Sequence, residues 1–312
     1  MGEVSPAMPT QSPRPLALAA MAAAVTIYGG QFVSVRFGLA TNLSAYDLAA
    51  LRFIFAGAVM LPFFIRGGVR TCAGLGWGRG LALVVTGGFP LTVLSNIGLI
   101  YAPAAHASAI QPGVVAVTAT LLGYFAAGLR VPGYVLAGFA VVLSGLAAIA
   151  IAGSTGTAGG GTLIGDLAFV IAGLGWGTFT WLCARWQVPS VTGAAVVSVL
   201  SMIYLPFYAL WLDPGLTRAP FGAVVLHGIN QGILNVALGL LLWTYGTRTL
   251  GVVTAARFPP MIPVLGTLIG IPVLGEIPSP LAAAGVVGIV AGLLIAASGG
   301  SLRRLLRRSG TN

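Results

Sequence analysis

Among 312 residues, only five side chains are acidic, two are histidine and two are cysteine, so few groups can do chemistry and their placement decides which. His227, Asn230, Gln231 and Asn235 stand at i, i+3, i+4 and i+8, a spacing that lines one face of a helix. Thr92, Ser95, Asn96 and Leu99 form a similar set. Gln111 precedes Pro112, and Arg257 precedes the pair Pro259 and Pro260. These groups offer hydrogen bonds and a positive charge. An intramembrane aspartyl protease would need two facing carboxylates and a serine enzyme a nucleophile with its base. Asp47, Asp166, Asp213 and Glu276 are expected at helix ends or in loops, and neither His106 nor His227 lies in a Gly-x-Ser-x-Gly setting. Cys72 and Cys183 show no ligand spacing, and with so few histidines and scattered acids no metal centre is expected. A structural disulfide is not expected either, since both cysteines fall near the face read below as cytoplasmic, a reducing compartment. The expectation is a binding protein, not an enzyme, with no cofactor.

The elements that must position these groups are membrane helices. Hydrophobic residues make up 57% of the chain and charged residues 6%, against roughly 25% charged in a soluble domain. A helix needs about 20 apolar residues to cross the hydrocarbon core. Ten such stretches are read, at 15–39, 44–65, 79–100, 104–127, 131–152, 165–186, 190–212, 220–246, 252–275 and 279–298. They are too long and too uniformly apolar for barrel strands. The first continues directly into a second span and is read as a retained helix, not a cleaved signal.

The text also runs twice. Tyr28-Gly29, Leu61-Pro62-Phe63, Tyr101, Pro112, Gly128, Gly138 and Gly145 are answered by Trp176-Gly177, Leu205-Pro206-Phe207, Tyr245, Pro259, Gly275, Gly285 and Gly292. The offset is 144 at the Leu-Pro-Phe and Tyr landmarks and 147 from the proline onward. An odd number of spans per copy turns the second upside down, the inverted-repeat plan of secondary transporters. The fold class is therefore an all-α membrane protein of ten transmembrane helices, arranged as two inverted five-helix repeats around a central cavity. The expected divisions are a disordered cytoplasmic tail at 1–14, a first repeat at 15–152, a flexible Gly/Ser/Thr linker at 153–164, a second repeat at 165–298 and a basic tail at 299–312.

All 15 basic residues are arginine. With a cytoplasmic N-terminus, eleven fall in inner loops or tails, Arg218 alone in an outer loop, and Arg36, Arg52 and Arg257 within spans. The positive-inside rule then puts both termini in the cytoplasm of an inner, plasma membrane. The net charge of +10 is a topology signal and calls for no nucleic-acid partner. The tail from Arg303 to Arg308 also suits anionic membrane lipid.

These residues together resemble the drug/metabolite transporter superfamily, in its EamA-type ten-helix branch. The likeness rests on the Tyr-Gly and Trp-Gly pairs of spans one and six, Leu51-Arg52-Phe53 in span two, the prolines of spans four and nine, and Gly275-Glu276 closing span nine. It covers about residues 15–298 and is nearest to bacterial exporters of aromatic and other neutral amino acids. One departure is Gly128-Leu129, where the family has Gly-Glu; any role of that glutamate falls to Glu276. The resemblance implies a path lined by spans one, three, four, six, eight and nine, with spans five and ten at the periphery. Gly138, Gly145, Gly285, Gly288 and Gly292 suit close packing there, within one chain or between two; a monomer is expected.

Polar side chains in hydrocarbon face the interior or water, so the polar sets either line a cavity or bond across packed helices. Candidate substrate contacts are Tyr28, Phe32, Ser95, Asn96, Leu99, Gln111, Trp176, His227, Gln231, Asn235 and Arg257, with Tyr28, Phe32 and Trp176 as aromatic walls. Pro112, Pro259 and Pro260 each remove a helical hydrogen bond and are candidate hinges or site markers. Arg257, about 8 Å along its helix from the inner end, is expected either to attract a carboxylate or to snorkel to the interface. Arg52 is expected to hold a structural partner, a carbonyl or Asp47, and Arg36 to lie at the interface. Buried positive charge with no buried acid disfavours lipophilic cations. The expected function is export of neutral amino acids, aromatic ones among them, by alternating access; the alternatives are export of other small metabolites or drugs, or a non-transporting membrane receptor. Proton coupling would have to use His106 or His227; simple facilitated diffusion is the alternative.

Overall fold

The computed structural model describes residues 14–155, 161–212, 215–255 and 257–309, and among them every regular element is helical. The long elements are α1 (Arg14–Ala40), α2 (Ala45–Arg66), α3 (Trp77–Tyr101), α4 (Ala104–Ala126), α5 (Gly133–Thr155), α6 (Gly161–Arg185), α7 (Ser190–Trp211), α8 (Phe221–Leu250), α9 (Met261–Leu274) and α10 (Pro280–Ser309). Nine of these, among the described residues, are long and apolar enough to span a bilayer. The fourteen residues of α9 reach only about 21 Å, short of the roughly 30 Å hydrocarbon core.

That shortfall falls in the stretch read as the ninth span, 252–275, where Pro259 and Pro260 were expected to interrupt the helix. A single helical turn, Val252–Ala255, precedes α9, and Pro259 and Pro260 lie in the non-helical stretch between the two. Two consecutive residues without an N–H, each also disfavouring helical backbone before it, cannot be absorbed. Pro112 stands alone and α4 runs through it, so the two repeats are not broken alike. Residues 1–13 and 156–160 of the expected tail and linker lie outside the described residues. The linker's flanks are helical, since α5 continues to Thr155 and α6 starts at Gly161. Likewise α10 continues to Ser309, into the expected basic tail.

Two other helices depart from regular geometry. In α3 the chain kinks at Gly88, and the freed N–H of Phe89 donates to Ser201 Oγ of α7 at 3.1 Å. In α8 residues Ile229–Leu238 form a π-helix. There Phe55 of α2 lies so close to Gly228 and Gly232 that a Cβ on either would come within 2.4 Å of it; only glycine admits that approach.

The halves make matching close contacts. A Cβ on Gly29 of α1 would lie 2.9 Å from the Ile262 carbonyl of α9, and one on Gly177 of α6 would lie 2.9 Å from the Val115 carbonyl of α4. Those are equivalent positions of the two repeats. Helices α5 and α10 meet reciprocally, with Gly138 against the Gly292 carbonyl and Gly145 against the Gly285 carbonyl. The open question of whether these glycines pack within one chain is thereby answered: they pack against each other.

At the junction of α1 and α2, Ser44 and Asp47 form a reciprocal capping box, with Ser44 Oγ accepting from Asp47 N at 3.0 Å and Asp47 Oδ2 accepting from Ser44 N at 2.8 Å. Asp47 Oδ1 also accepts from Gly215 N at 3.0 Å and from the Tyr208 hydroxyl. This buried carboxylate thus ties α2 to the end of α7 and, among the described residues, serves no arginine, so of the two partners expected for Arg52, a carbonyl or Asp47, the second is not found. Asp47→Asn replaces an acceptor by a donor facing other donors. The expected cost is about 1–2 kcal/mol, read as a lower midpoint in thermal unfolding of the purified protein. Both cysteines are free, and Cys72 is buried against α3, where a Cβ on Gly80 would meet its sulfur.

Candidate functional site

Between the helices lies a polar cavity lined by Gln31, Phe32 and Val35 of α1, Arg52 of α2, Thr92, Ser95, Asn96 and Leu99 of α3, Gln111 of α4, Trp176 of α6 and Gln231 of α8. Its volume of about 20 Å³ holds a water-sized molecule and excludes anything as large as an amino acid.

Polar contacts fix the walls. Ser95 Oγ donates to Gln111 Oε1 at 2.8 Å, joining α3 to α4. Asn96 Nδ2 donates to the Ala45 carbonyl at 3.2 Å, joining α3 to α2. The two readings of these residues, cavity lining and bonds between helices, therefore hold together. Thr92 Oγ1 turns back to the Gly88 carbonyl at 3.2 Å. Gln31 serves two partners, its side-chain oxygen accepting from Arg52 Nη1 at 3.2 Å and its backbone carbonyl from Gln231 Nε2 at 3.5 Å.

Arg52 dominates the electrostatics. It is 8% exposed, its guanidinium carbon sits 6.0 Å from the centroid of the Trp176 ring, and among the described residues it makes no ion pair. A buried guanidinium with a neutral amide and an aromatic face as partners has donors to spare and a charge left uncompensated. An arriving carboxylate would accept two parallel hydrogen bonds from it.

Seven of the anticipated contacts meet at this cavity: Phe32, Ser95, Asn96, Leu99, Gln111, Trp176 and Gln231. Tyr28 instead packs over Gly239 and lies 6.3 Å from the Trp243 ring. His227 and Asn235 are buried on α8 outside the cavity lining, and the His227 Nδ1 and Asn235 Nδ2 atoms have no hydrogen-bond partner among the described residues. Asn230 is only half-buried. The cause is the π-helix, whose wider turn keeps residues four apart in register and swings Asn230 off the face expected for an α-helix. Arg257 is exposed and lies in the break before α9, because the two prolines end the helix that would have aimed it inward. No residue of α9 lines the cavity, while α2 supplies Arg52; both depart from the path that the resemblance implied.

Gln31, Val35 and Thr92 enter the lining beyond those candidates, and Arg52 moves from structural partner to wall. Gln31 carried a legible signal, a polar side chain in an apolar span, four residues before Val35.

The expectation of no buried acid is also corrected. Asp47 is 1% and Asp166 5% exposed. Asp166 Oδ1 pairs with His106 Nδ1 at 2.9 Å, tying α6 to α4. Both acids are engaged elsewhere, and among the described residues the cavity wall contains no carboxylate. Arg36, expected at the interface, binds Glu276 at 2.8 Å.

Comparison with known proteins adds to this geometry. The model of the EamA-like transporter family matches residues 15–151 and again 163–298. An uncharacterized protein of Pseudomonas aeruginosa is 27% identical over 262 residues, covering 82% of this chain and 85% of that one. A protein of Streptantibioticus cattleyicolor named a probable terminal-alkyne amino-acid exporter is 28% identical over 210 residues, covering 67% and 69%. A crystal structure with 22% sequence identity superposes with a TM-score of 0.61 over 94% of this chain and 99% of its own; it shares the fold.

Proposed function

Because the chain belongs to the EamA-like transporter family, we propose that it exports neutral amino acids, aromatic ones among them, across a bacterial inner membrane by alternating access. The observation that carries this reading is Arg52, a buried cation on the cavity wall without a carboxylate partner among the described residues. The substrate carboxylate takes the guanidinium, and Gln31, Gln231 and the Ser95–Gln111 pair supply neutral hydrogen-bonding groups around it. Trp176 and Phe32 give the side chain an apolar wall. A lipophilic cation would meet like charge here. The similarity to a probable terminal-alkyne amino-acid exporter supports the same substrate class.

Movement is implicit in the dimensions. A cavity of about 20 Å³ is far below the roughly 300–1,000 Å³ of occupied ligand sites, so loading requires the halves to part. The break at Pro259 and Pro260 and the π-segment of α8 interrupt regular helix and serve as hinges. The eleven-to-one arginine asymmetry puts both termini in the cytoplasm and the α1–α2 junction outside.

The test is flux into proteoliposomes holding the purified protein, with labelled phenylalanine, threonine and a lipophilic cation, each with and without a pH gradient. Saturable amino-acid flux without cation flux is the expected result. Cation flux without amino-acid flux would overturn the reading and make the protein a drug exporter.

A further inference from the structure

A second space opens at the α1–α2 face. Its volume is about 530 Å³, within the range of small-molecule sites, and it shares α1 and α3 with the cavity as walls. Val35 and Leu99 face the cavity, while their chain neighbours Arg36 and Ile100 face this vestibule. In the present conformation the vestibule, and not the cavity, has room for an amino acid.

The vestibule wall holds an ion pair. Arg36 Nε donates to Glu276 Oε1 at 2.8 Å, and Arg36 Nη1 donates to the Leu99 carbonyl at 2.5 Å. Glu276 Oε2 accepts from Ala104 N at 2.9 Å. The side chains of Arg36 and Glu276 remain 31% and 20% exposed, so both charges can be reached from the vestibule. Ser44 and Tyr46 add polar groups to the same wall.

We propose that this vestibule is a second binding site, selective for zwitterions, in which the carboxylate of an amino acid docks on Arg36 and its ammonium on Glu276. The inference rests on the amino-acid reading above. Opposite unit charges held side by side match the two ends of an α-amino acid. A solute with one charged end would weaken the Arg36–Glu276 pair and leave one member uncompensated, whereas a zwitterion compensates both. The cavity, with Arg52 alone, attends to the carboxylate; the vestibule reads both ends.

The experiment uses the full chain with Cys72→Ala and Cys183→Ala and a reporter thiol at the exposed vestibule residue Ala40 (Ala40→Cys). Its modification by a charged thiol reagent is timed in detergent with and without phenylalanine. Phenylalanine is expected to slow labelling about 5-fold or more, while N-acetylphenylalanine and phenylalanine methyl ester leave it unchanged. Glu276→Gln and Arg36→Gln, each checked for an unchanged unfolding midpoint, are expected to abolish the protection. Absence of protection in the parent protein, equal protection by either singly charged analogue, or protection surviving in either folded variant overturns the site. The analogue series needs no variant to fold. Amino-acid flux in proteoliposomes without protection at Ala40→Cys would sink the vestibule site alone, and protection without flux would sink the export reading alone.

Discussion

Arg52→Gln is expected to abolish amino-acid flux while leaving the protein at least as stable as before. Removing one partner of a desolvated charge pair costs roughly 2–5 kcal/mol of binding, which is a loss of about 30-fold to several thousand-fold in kcat/KM for transport. Folding responds with the opposite sign. In the empty protein the guanidinium is buried, with Gln31 as hydrogen-bond partner and the Trp176 ring nearby, and replacing a buried uncompensated charge by a neutral amide removes a desolvation penalty. Arg52→Lys keeps the charge and loses the planar fork, and a loss of about 10-fold is expected. Flux of labelled phenylalanine in proteoliposomes, run beside thermal unfolding of the same preparations, separates the two effects. Full flux in Arg52→Gln would remove the cavity arginine from the substrate site.

Gly145→Leu is expected to destabilise the chain by about 3 kcal/mol, through overpacking where nothing can yield. A Cβ at Gly145 would lie 2.6 Å from the Gly285 carbonyl and 2.9 Å from the Ile289 nitrogen, both backbone atoms of α10. A side chain could rotate away from such an intrusion, but a helix backbone cannot, so α5 and α10 must separate. That forfeits the reciprocal contact of Gly138 with Gly292 as well. The control is Gly123→Leu in α4, where an added Cβ meets nothing within 4 Å and an unchanged midpoint is expected. Thermal unfolding in detergent checks both; equal midpoints for the two variants would mean that α5 and α10 do not depend on this close approach.

Glycine spacing was visible in the chain, and so were the helices that carry it. Their apolar length is a property of residues near one another in sequence, imposed by a one-dimensional condition, enough apolar residues to cross hydrocarbon; the repeated landmarks and the family likeness are likewise read along the chain without its fold. The same holds for much of the cavity, since polar groups in apolar spans must turn inward; Ser95, Asn96, Gln111 and Gln231 were legible for that reason. Tertiary structure alone decided which charge faces the cavity. Arg257 and Arg52 both stood in apolar spans; Pro259 and Pro260, legible in the chain, break the first span and leave Arg257 exposed, whereas only the packing of α2 against its neighbours places Arg52 on the cavity wall. Asn230 left its face because α8 winds as a π-helix beside Phe55, which no spacing in α8 announces. Pairing across distance was equally closed to the sequence: Arg36 finds Glu276 240 residues away, and Asp47 finds Tyr208 161 residues away. Local pattern determines which segments enter the membrane and which residues cannot face lipid. The partner each buried group finds depends on how ten helices pack against one another, a condition that no single segment contains.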